Sequence, residues 1–312
     1  MARSLISMLD VKDDLEEIID LAITLKEKAK NKENIAFLKG KTLGMIFEKS
    51  STRTRVSFEV GMTKLGGHAI FLSSNDIQLG RGETIEDTAL VLSRYVDLIM
   101  YRAKSNEAMR ELAENATVPV ISGLDDKEHP CQVIADFVTI KEKKGFLKGL
   151  QFVYIGDGNN NMAHSYLLGC GIAGMNIRIV SPKKYWPEEY YVKEAKKFGI
   201  KVEVTDEIKN STRDADIIAT DTWVSMGDEA EKEERVKIFQ GYTITKELID
   251  QAKSDVIFMH CLPAYYGYEV TKEVAHGPNS VIFDEAENRM WAQMAIMIKL
   301  LETSKVEKLL GT

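Results

Sequence analysis

The alternation of short apolar runs with longer amphipathic stretches constrains the fold of this chain more than any other feature of its sequence. Runs rich in β-branched and aromatic residues predict strands, and the stretches between them have helical periodicity. In the first half, strands are predicted at 42–48, 69–73, 97–101 and 118–122, with helices from Thr52, Thr84, Asn106 and Pro130. This order is typical of βα units wound around a largely parallel sheet.

The second half repeats the pattern. Strands are predicted at 151–156, 176–180, 201–205, 216–219, 256–260 and 281–283, and a last helix at 287–301. The chain is therefore predicted to be an α/β protein with two doubly wound domains and largely parallel sheets, linked by long helices.

The length of 312 residues fits two domains of ordinary size. A Lys-rich stretch containing glycine at 141–149 predicts the boundary, so we expect domains at 1–145 and 146–286. In residues 287–312, Met290, Met294 and Met297 recur at helical spacing. This C-terminal helix is expected to pack back on the first domain.

Charge and cysteine content exclude several classes of protein. The 41 Lys and Arg residues against 48 Asp and Glu give a net charge of −7, which argues against nucleic acid as a partner. The three cysteines lack the spacing of a zinc site or a disulfide framework, so a reducing cytoplasm is expected. The sequence has neither a signal-peptide pattern nor a long apolar run, and no membrane association is predicted.

The first candidate site is Ser51-Thr52-Arg53-Thr54, between a predicted strand and a predicted helix. Free N–H groups, hydroxyls and a guanidinium at a helix N-terminus attract phosphate or carboxylate. The alternative is an ordinary helix cap with solvated arginines.

Two further motifs are predicted at the same sheet edge. Arg102 follows the strand at 97–101, where open α/β sheets place ligand-binding residues. His129 and Gln132 flank Pro130 at another helix start. Each alone would more often be a structural or surface residue.

In the second half, the turn from Gly156 to Asn161 resembles a dinucleotide turn, but asparagines replace the later glycines. The asparagine amides suit a small zwitterion, and plain turn chemistry is the alternative. The loop with Asp221, Ser225 and Met226 offers a carboxylate that suits an ammonium group, although it could simply be a solvated loop.

Cys261 ends a predicted strand beside His260. Adjacent strand residues point to opposite faces, so Cys261 is interpreted as a positioned thiol rather than a nucleophile activated by this histidine. Arg289 near the start of the last helix could add a basic group.

Together these motifs resemble the aspartate/ornithine carbamoyltransferase family, and its ornithine branch most closely, over nearly the whole chain. The resemblance implies a carbamoyl phosphate site, an ornithine site and the residues of each. For carbamoyl phosphate these are Ser51, Thr52, Arg53, Thr54, Gln78, Arg102, His129, Gln132, Cys261, Leu262 and Arg289; for ornithine, Asn160 or Asn161, Asp221, Ser225 and Met226. The implied catalytic residues are Arg102, His129, Asp221 and Cys261.

By the same resemblance, the carbamoyl group passes to the δ-amine of L-ornithine, giving L-citrulline and phosphate in arginine biosynthesis or degradation. Gln78 is expected to enter a neighbouring subunit's site, which implies a homotrimer or a multiple of trimers. The turn has three consecutive asparagines where the family has two, and counting back from Met162 favours Asn161.

The chemistry implied needs no metal or cofactor, because carbamoyl phosphate is already activated and the site has to orient an amine and stabilise an oxyanion. Three alternatives remain open: a carbamoyltransferase for putrescine or aspartate, a non-catalytic protein that binds carbamoyl phosphate or ornithine, and a Rossmann-type oxidoreductase. The incomplete glycine fingerprint argues against the last.

Overall fold

The computed structural model describes residues 3–224 and 229–310 and divides into two compact units. The first comprises Met1–Val138 and Glu287–Thr312, and the second comprises Thr139–Ala286. The first boundary lies inside helix α5 (Pro130–Lys144), ahead of the position 145 expected from the sequence, and the second lies inside helix α11 (Ile282–Leu301). Both boundaries between the units therefore fall within continuous helices.

The first unit is built on one four-stranded sheet in the order β2-β1-β3-β4, with every pair parallel. Its elements are α1 (Leu15–Lys30), β1 (Thr42–Phe47), α2 (Thr52–Lys64), β2 (His68–Ser73), α3 (Ile85–Leu92), β3 (Leu98–Arg102), α4 (Asn106–Asn115), β4 (Val120–Leu124), the start of α5, most of α11, and α12 (Thr303–Leu310). Short 3-10 turns occupy Met8–Val11 and Gln78–Arg81.

The second unit has a five-stranded sheet in the order β7-β6-β5-β8-β9, again parallel throughout. Its elements are β5 (Gln151–Ile155), α6 (Asn161–Ala173), β6 (Asn176–Val180), α7 (Glu189–Lys196), β7 (Val202–Thr205), β8 (Ile217–Thr220), α8 (Lys232–Ile238), α9 (Lys246–Asp250), β9 (Ile257–His260) and α10 (Lys272–Ala275). The predicted α/β class with two largely parallel sheets is confirmed.

Side-chain caps begin several of the helices that follow strands. Ser51 accepts a hydrogen bond from the Thr54 N–H at the start of α2, and Asn160 accepts one from the Ala163 N–H at the start of α6. A cap satisfies N–H groups that have no partner within the helix. The same residues therefore begin the helices and lie at the strand-to-helix turns where ligands bind.

One predicted strand is wrong. Residues 281–283 were expected to extend as a strand, but α11 already begins at Ile282. Ser280, which precedes the predicted strand, forms an isolated bridge to Phe258 of β9. Asp284 and Glu285 then place acidic side chains in the first helical turn, where they complement the helix dipole.

Each sheet has a switch point, where successive strands are added on opposite sides. In the first sheet it lies between β1 and β3, and in the second between β5 and β8. Ligands of open α/β sheets bind beyond the carboxyl ends of the strands at such a point.

Within residues 3–224 and 229–310, no helix combines the length and apolar character needed to cross a bilayer.

Candidate active site

The switch point of the first unit is lined by the N-terminal turn of α2. The Ser51 hydroxyl donates to the Thr54 hydroxyl at 3.0 Å and accepts from the Thr54 N–H at 3.3 Å. Thr54 is buried, Ser51 and Arg53 are half-buried, and Thr52 is exposed. The turn that the sequence predicts to bind an anion is therefore the capped start of a helix.

Two arginines reach the hydroxyl of Thr54. Arg289 Nη2 donates to it at 2.6 Å, and Arg102 Nη1 approaches it at 3.5 Å while donating to the Gly123 carbonyl at 3.3 Å. Both arginines are only 5% exposed. Two buried guanidinium groups near a helix N-terminus create a strongly positive site that suits a doubly charged phosphate.

His129 and Gln132 complete this group. Arg289 donates to Gln132 Oε1 at 2.8 Å from Nη1 and lies 3.1 Å from His129 Nε2 through Nη2. A guanidinium has only donors, so Nε2 of His129 accepts and the imidazole proton resides on Nδ1. The structure thus brings together Thr54, Arg102, His129, Gln132 and Arg289.

Burial lowers the pKa of His129 well below its usual value, and the positive charges of Arg289 and Arg102 lower it further. The imidazole is therefore neutral at neutral pH. Burial also raises the pKa of the neighbouring Cys131 thiol to about 12, and this thiol donates to the Ser122 carbonyl. Cys131 is accordingly protonated and unreactive.

The switch point of the second unit is centred on Asp221. Its Oδ1 accepts from the Thr222 N–H at 2.8 Å and from the Cys261 thiol at 3.3 Å, and its Oδ2 lies 3.5 Å from Asn160 Nδ2. Burial raises the pKa of Asp221, although the neighbouring His260 opposes the shift. The acid and the thiol are thus in direct contact.

The consecutive asparagines have different roles. Asn160 is buried, and both ends of its side-chain amide have partners. Its Oδ1 accepts from the Ala163 N–H and caps α6, and its Nδ2 donates to the Tyr154 hydroxyl at 3.1 Å. Asn161 is the first residue of α6 and is half-buried. Asn160 therefore has a structural role at the start of α6, and Asn161 stays the residue that the sequence predicts to contact an amino-acid ligand.

The turn after β9 is held by the side chain of His260. Its Nδ1 accepts from the Leu262 N–H at 2.9 Å, and its Nε2 lies 3.2 Å from Glu269 Oε1. Leu262 has a left-handed backbone conformation, with φ of 61°, and the peptide bond to Pro263 is cis. The two contacts of the His260 ring hold the backbone of the turn that carries Cys261 and Leu262.

Asp221, His260 and Cys261 each offer one potential metal ligand, and these atoms lie within 4.8 Å of one another. Both ring nitrogens of His260 already have partners, however, which leaves an acid and a thiol. Zinc sites use three or four protein ligands. This group suits proton transfer better than metal binding.

One residue that could not be predicted from the sequence, Arg235, supports the second switch point. Arg235 is buried and donates to Asp157 at 2.7 Å and to the Trp223 carbonyl at 3.2 Å. It thereby connects the turn after β5 to the loop after β8. The segment around Arg235 is highly charged, and its local sequence does not indicate a buried arginine. The contact with Asp157, 78 residues away in the sequence, reveals the role of Arg235.

Three predicted site residues are not part of the contacts described above. Gln78 is exposed on the 3-10 turn that follows β2. Ser225 and Met226, predicted to bind ornithine, lie outside the described residues.

Family models match both halves of the chain. The aspartate/ornithine carbamoyltransferase carbamoyl-P binding domain matches residues 3–142, and the Asp/Orn binding domain of the same enzymes matches residues 148–300.

Individual relatives agree with these matches. The chain is 53% identical over 302 residues to the ornithine carbamoyltransferase of Methanosarcina acetivorans, covering 96% of this chain and 100% of that protein. Its structure is similar to that of ornithine carbamoyltransferase from Pyrococcus furiosus, with a TM-score of 0.92, 48% identity and coverage of 96% and 97%. The Burkholderia thailandensis enzyme gives a TM-score of 0.88, 41% identity and coverage of 96% and 99%.

Proposed function

The chain belongs to the aspartate/ornithine carbamoyltransferase family, and we propose how its residues divide the work of carbamoyl transfer from carbamoyl phosphate to L-ornithine. The products are L-citrulline and phosphate. The observation that carries the assignment of residues is the buried contact group of Thr54, Arg102, His129, Gln132 and Arg289.

In the first unit, Ser51, Thr52, Arg53 and Thr54 bind the phosphate with the N–H groups and hydroxyls at the start of α2. Arg102 and neutral His129 stabilise the negative charge that develops on the carbonyl oxygen, and Arg289 neutralises charge on both groups. Gln132 orients the carbamoyl nitrogen. Because phosphate is the leaving group, the same guanidinium groups also stabilise it as the carbon–oxygen bond breaks.

In the second unit, Asp221 binds the amine end of ornithine, and Asn161, Ser225 and Met226 bind its amino-acid end. A primary amine with a pKa of about 10.4 is mostly protonated near neutral pH, so it has to lose a proton before it attacks the carbonyl carbon. Asp221, which has a raised pKa and contacts the Cys261 thiol, is suited to accept that proton. The Leu262 carbonyl orients the carbamoyl nitrogen.

The direct test mixes the protein with carbamoyl phosphate and, separately, with ornithine, putrescine or aspartate, and measures ureido product. We expect product with ornithine and a strong preference over putrescine, since putrescine leaves the groups that bind the α-carboxylate unpaired at about 1 to 3 kcal/mol each. Equal rates with putrescine, or no product with ornithine, would contradict the proposal.

We also propose a homotrimer or a multiple of trimers in the cytoplasm, with Gln78 entering a neighbouring subunit's carbamoyl phosphate site. Within the described residues of the first unit, most of the large apolar side chains that are exposed lie on α2, β2 and α3, which supports an interface there: Val56, Val60, Ile70, Leu90 and Val91. Domains at 1–145 and 146–286, with 287–312 returning to the first, are proposed on the same family basis.

The shared site can be tested by mixing inactive Gln78→Ala and Arg53→Ala subunits after controlled exchange. A hybrid trimer contains some sites in which both residues are intact, so activity should partly return. No recovery in exchanged trimers would count against a site shared between subunits.

A further inference from the structure

Glu128, one residue before His129, has a buried carboxylate that binds the N-terminal segment. Its Oε1 accepts from the Ser7 hydroxyl at 2.8 Å, and its Oε2 accepts from the Met8 N–H at 2.9 Å. Glu128 is 3% exposed. These contacts join residues about 120 positions apart in the sequence.

The N-terminal segment is itself attached to the first sheet. Leu5 donates to the Val120 carbonyl at 2.8 Å and accepts from the Ser122 N–H at 2.7 Å, so it extends the sheet beyond β4. Ser7 then caps the 3-10 turn of Met8–Val11. The segment is therefore an ordered part of the first unit, and Glu128 binds a fixed partner.

The loop that leads to His129 has contacts at its start and at its end. At its start, Asp125 accepts from the N–H groups of Lys127 and Glu128, both at 2.8 Å, and from Asn106 Nδ2 at 2.9 Å. At its end, the Glu128 side chain is the connection to the N-terminal segment. Removing the Glu128 side chain would leave the loop its contacts with Asp125 but would break its connection to the N-terminal segment, next to His129.

The contact can survive protonation. Burial raises the pKa of Glu128 to about 7, and the carboxylates of Asp125 and Asp10 act in the same direction, while hydrogen bonds from Met8 and Ser7 oppose them. In the protonated form, Oε1 can donate to the Ser7 oxygen while Oε2 still accepts from Met8, because a hydroxyl both donates and accepts. A glutamine amide has the same donor and acceptor arrangement.

We propose that Glu128 is a positioning residue for carbamoyl transfer: by binding Ser7 and Met8 it holds the loop that places His129 beside Arg289. The inference rests on the proposed function, in which His129 contacts the carbamoyl group. It also makes the segment around Ser7 a support of the active site in the first unit.

The test compares Glu128→Gln, Glu128→Ala and Ser7→Ala, with the exposed Glu114→Ala on α4 as a matched control. The rate of citrulline formation gives kcat and the KM of each substrate, and denaturant unfolding reports the folded fraction. The Gln variant should stay within about twofold of wild type, because it reproduces the protonated contact. The Ala variant should lose about tenfold or more in kcat/KM for carbamoyl phosphate, because misplaced groups lose rate steeply.

Ser7→Ala, which removes one of the two contacts, should fall between wild type and Glu128→Ala, and it tests the proposal even if Glu128→Ala does not fold. The KM of ornithine at saturating carbamoyl phosphate should not change in any folded variant. A folded Ala variant with wild-type carbamoyl phosphate kinetics, or equal losses in the Gln and Ala variants, would overturn the inference. Absence of citrulline formation by the wild type would instead overturn the proposed function.

Discussion

The two switch points share a topology and differ in the sign of their charge. In the first unit, a helix N-terminus, Arg102 and Arg289 surround a neutral His129. In the second, the carboxylate of Asp221 is joined by the Cys261 thiol and the Asn160 amide. The comparison teaches that the parallel sheet supplies the position of a site, while the side chains after each strand decide which charge it accepts.

The largest expected effect breaks the cationic site. Arg102→Ala should reduce kcat by about 100 to 1,000-fold, because it removes a donor that stabilises developing negative charge. The control is Arg110→Ala, which removes the same charge from an exposed position on α4 that contacts Asn106. Steady-state citrulline formation measures both. If the two variants retained similar activity, the positive charge at the first switch point would not be the catalytic one.

The next largest effect is expected when the negative charge of the second unit is removed. Asp221→Asn should raise the KM of ornithine by about 10 to 100-fold, since a hydrogen bond to a charged group contributes about 1.5 to 3 kcal/mol, and it should also lower kcat because the proton acceptor is lost. Binding of carbamoyl phosphate alone, measured by calorimetry, should be unchanged. Asp250→Asn, at an exposed position on α9, is the matched control. Weakened carbamoyl phosphate binding in Asp221→Asn would contradict the division of charge between the units.

A smaller effect separates the two asparagines. Asn160→Ala removes the cap of α6 and should lower the free energy of unfolding by about 1 kcal/mol. Asn161→Ala should leave that free energy nearly unchanged and raise the KM of ornithine. Denaturant titration and steady-state kinetics on both variants decide the assignment. The reverse result would make Asn160 the ligand.

The smallest effect concerns pH. Because the folded-state pKa of His129 is lowered, kcat/KM for carbamoyl phosphate should show no loss from this group as pH falls through 6.5. The unfolded chain binds a proton on this imidazole before the folded protein does, so the contribution of His129 to stability decreases below pH 6.5. His129→Gln should remove that part of the pH dependence of unfolding. An activity step near pH 6.5 that this variant abolishes would show a charged imidazole instead.

Local signals explain which parts of the molecule could be predicted from sequence. Buried parallel strands are apolar runs, and β6 was predicted at its observed bounds. The strand predicted at 281–283 was wrong, because a run of three apolar residues is equally consistent with a short strand and with the first turn of α11. The helix starts at Thr52 and Pro130 were predicted correctly, since caps and proline act within one turn.

The contacts that assemble the sites could not be predicted in this way. Thr54 and Arg289 lie 235 residues apart, and Asp157 and Arg235 lie 78 apart. No local periodicity connects such pairs. The family resemblance supplied Arg289, whereas Arg235 and Glu128 required the folded structure.

The return of residues 287–310 to the first unit has a consequence for synthesis of the chain. Ribosomes extend proteins from the N-terminus, so Arg289 is added only after every residue of the second unit has been made. The second sheet has all its strands before the first unit receives the helix that carries this arginine. A nascent chain stalled before Glu287 would thus contain both sheets and Thr54, yet lack the guanidinium that joins Thr54 to His129 and Gln132.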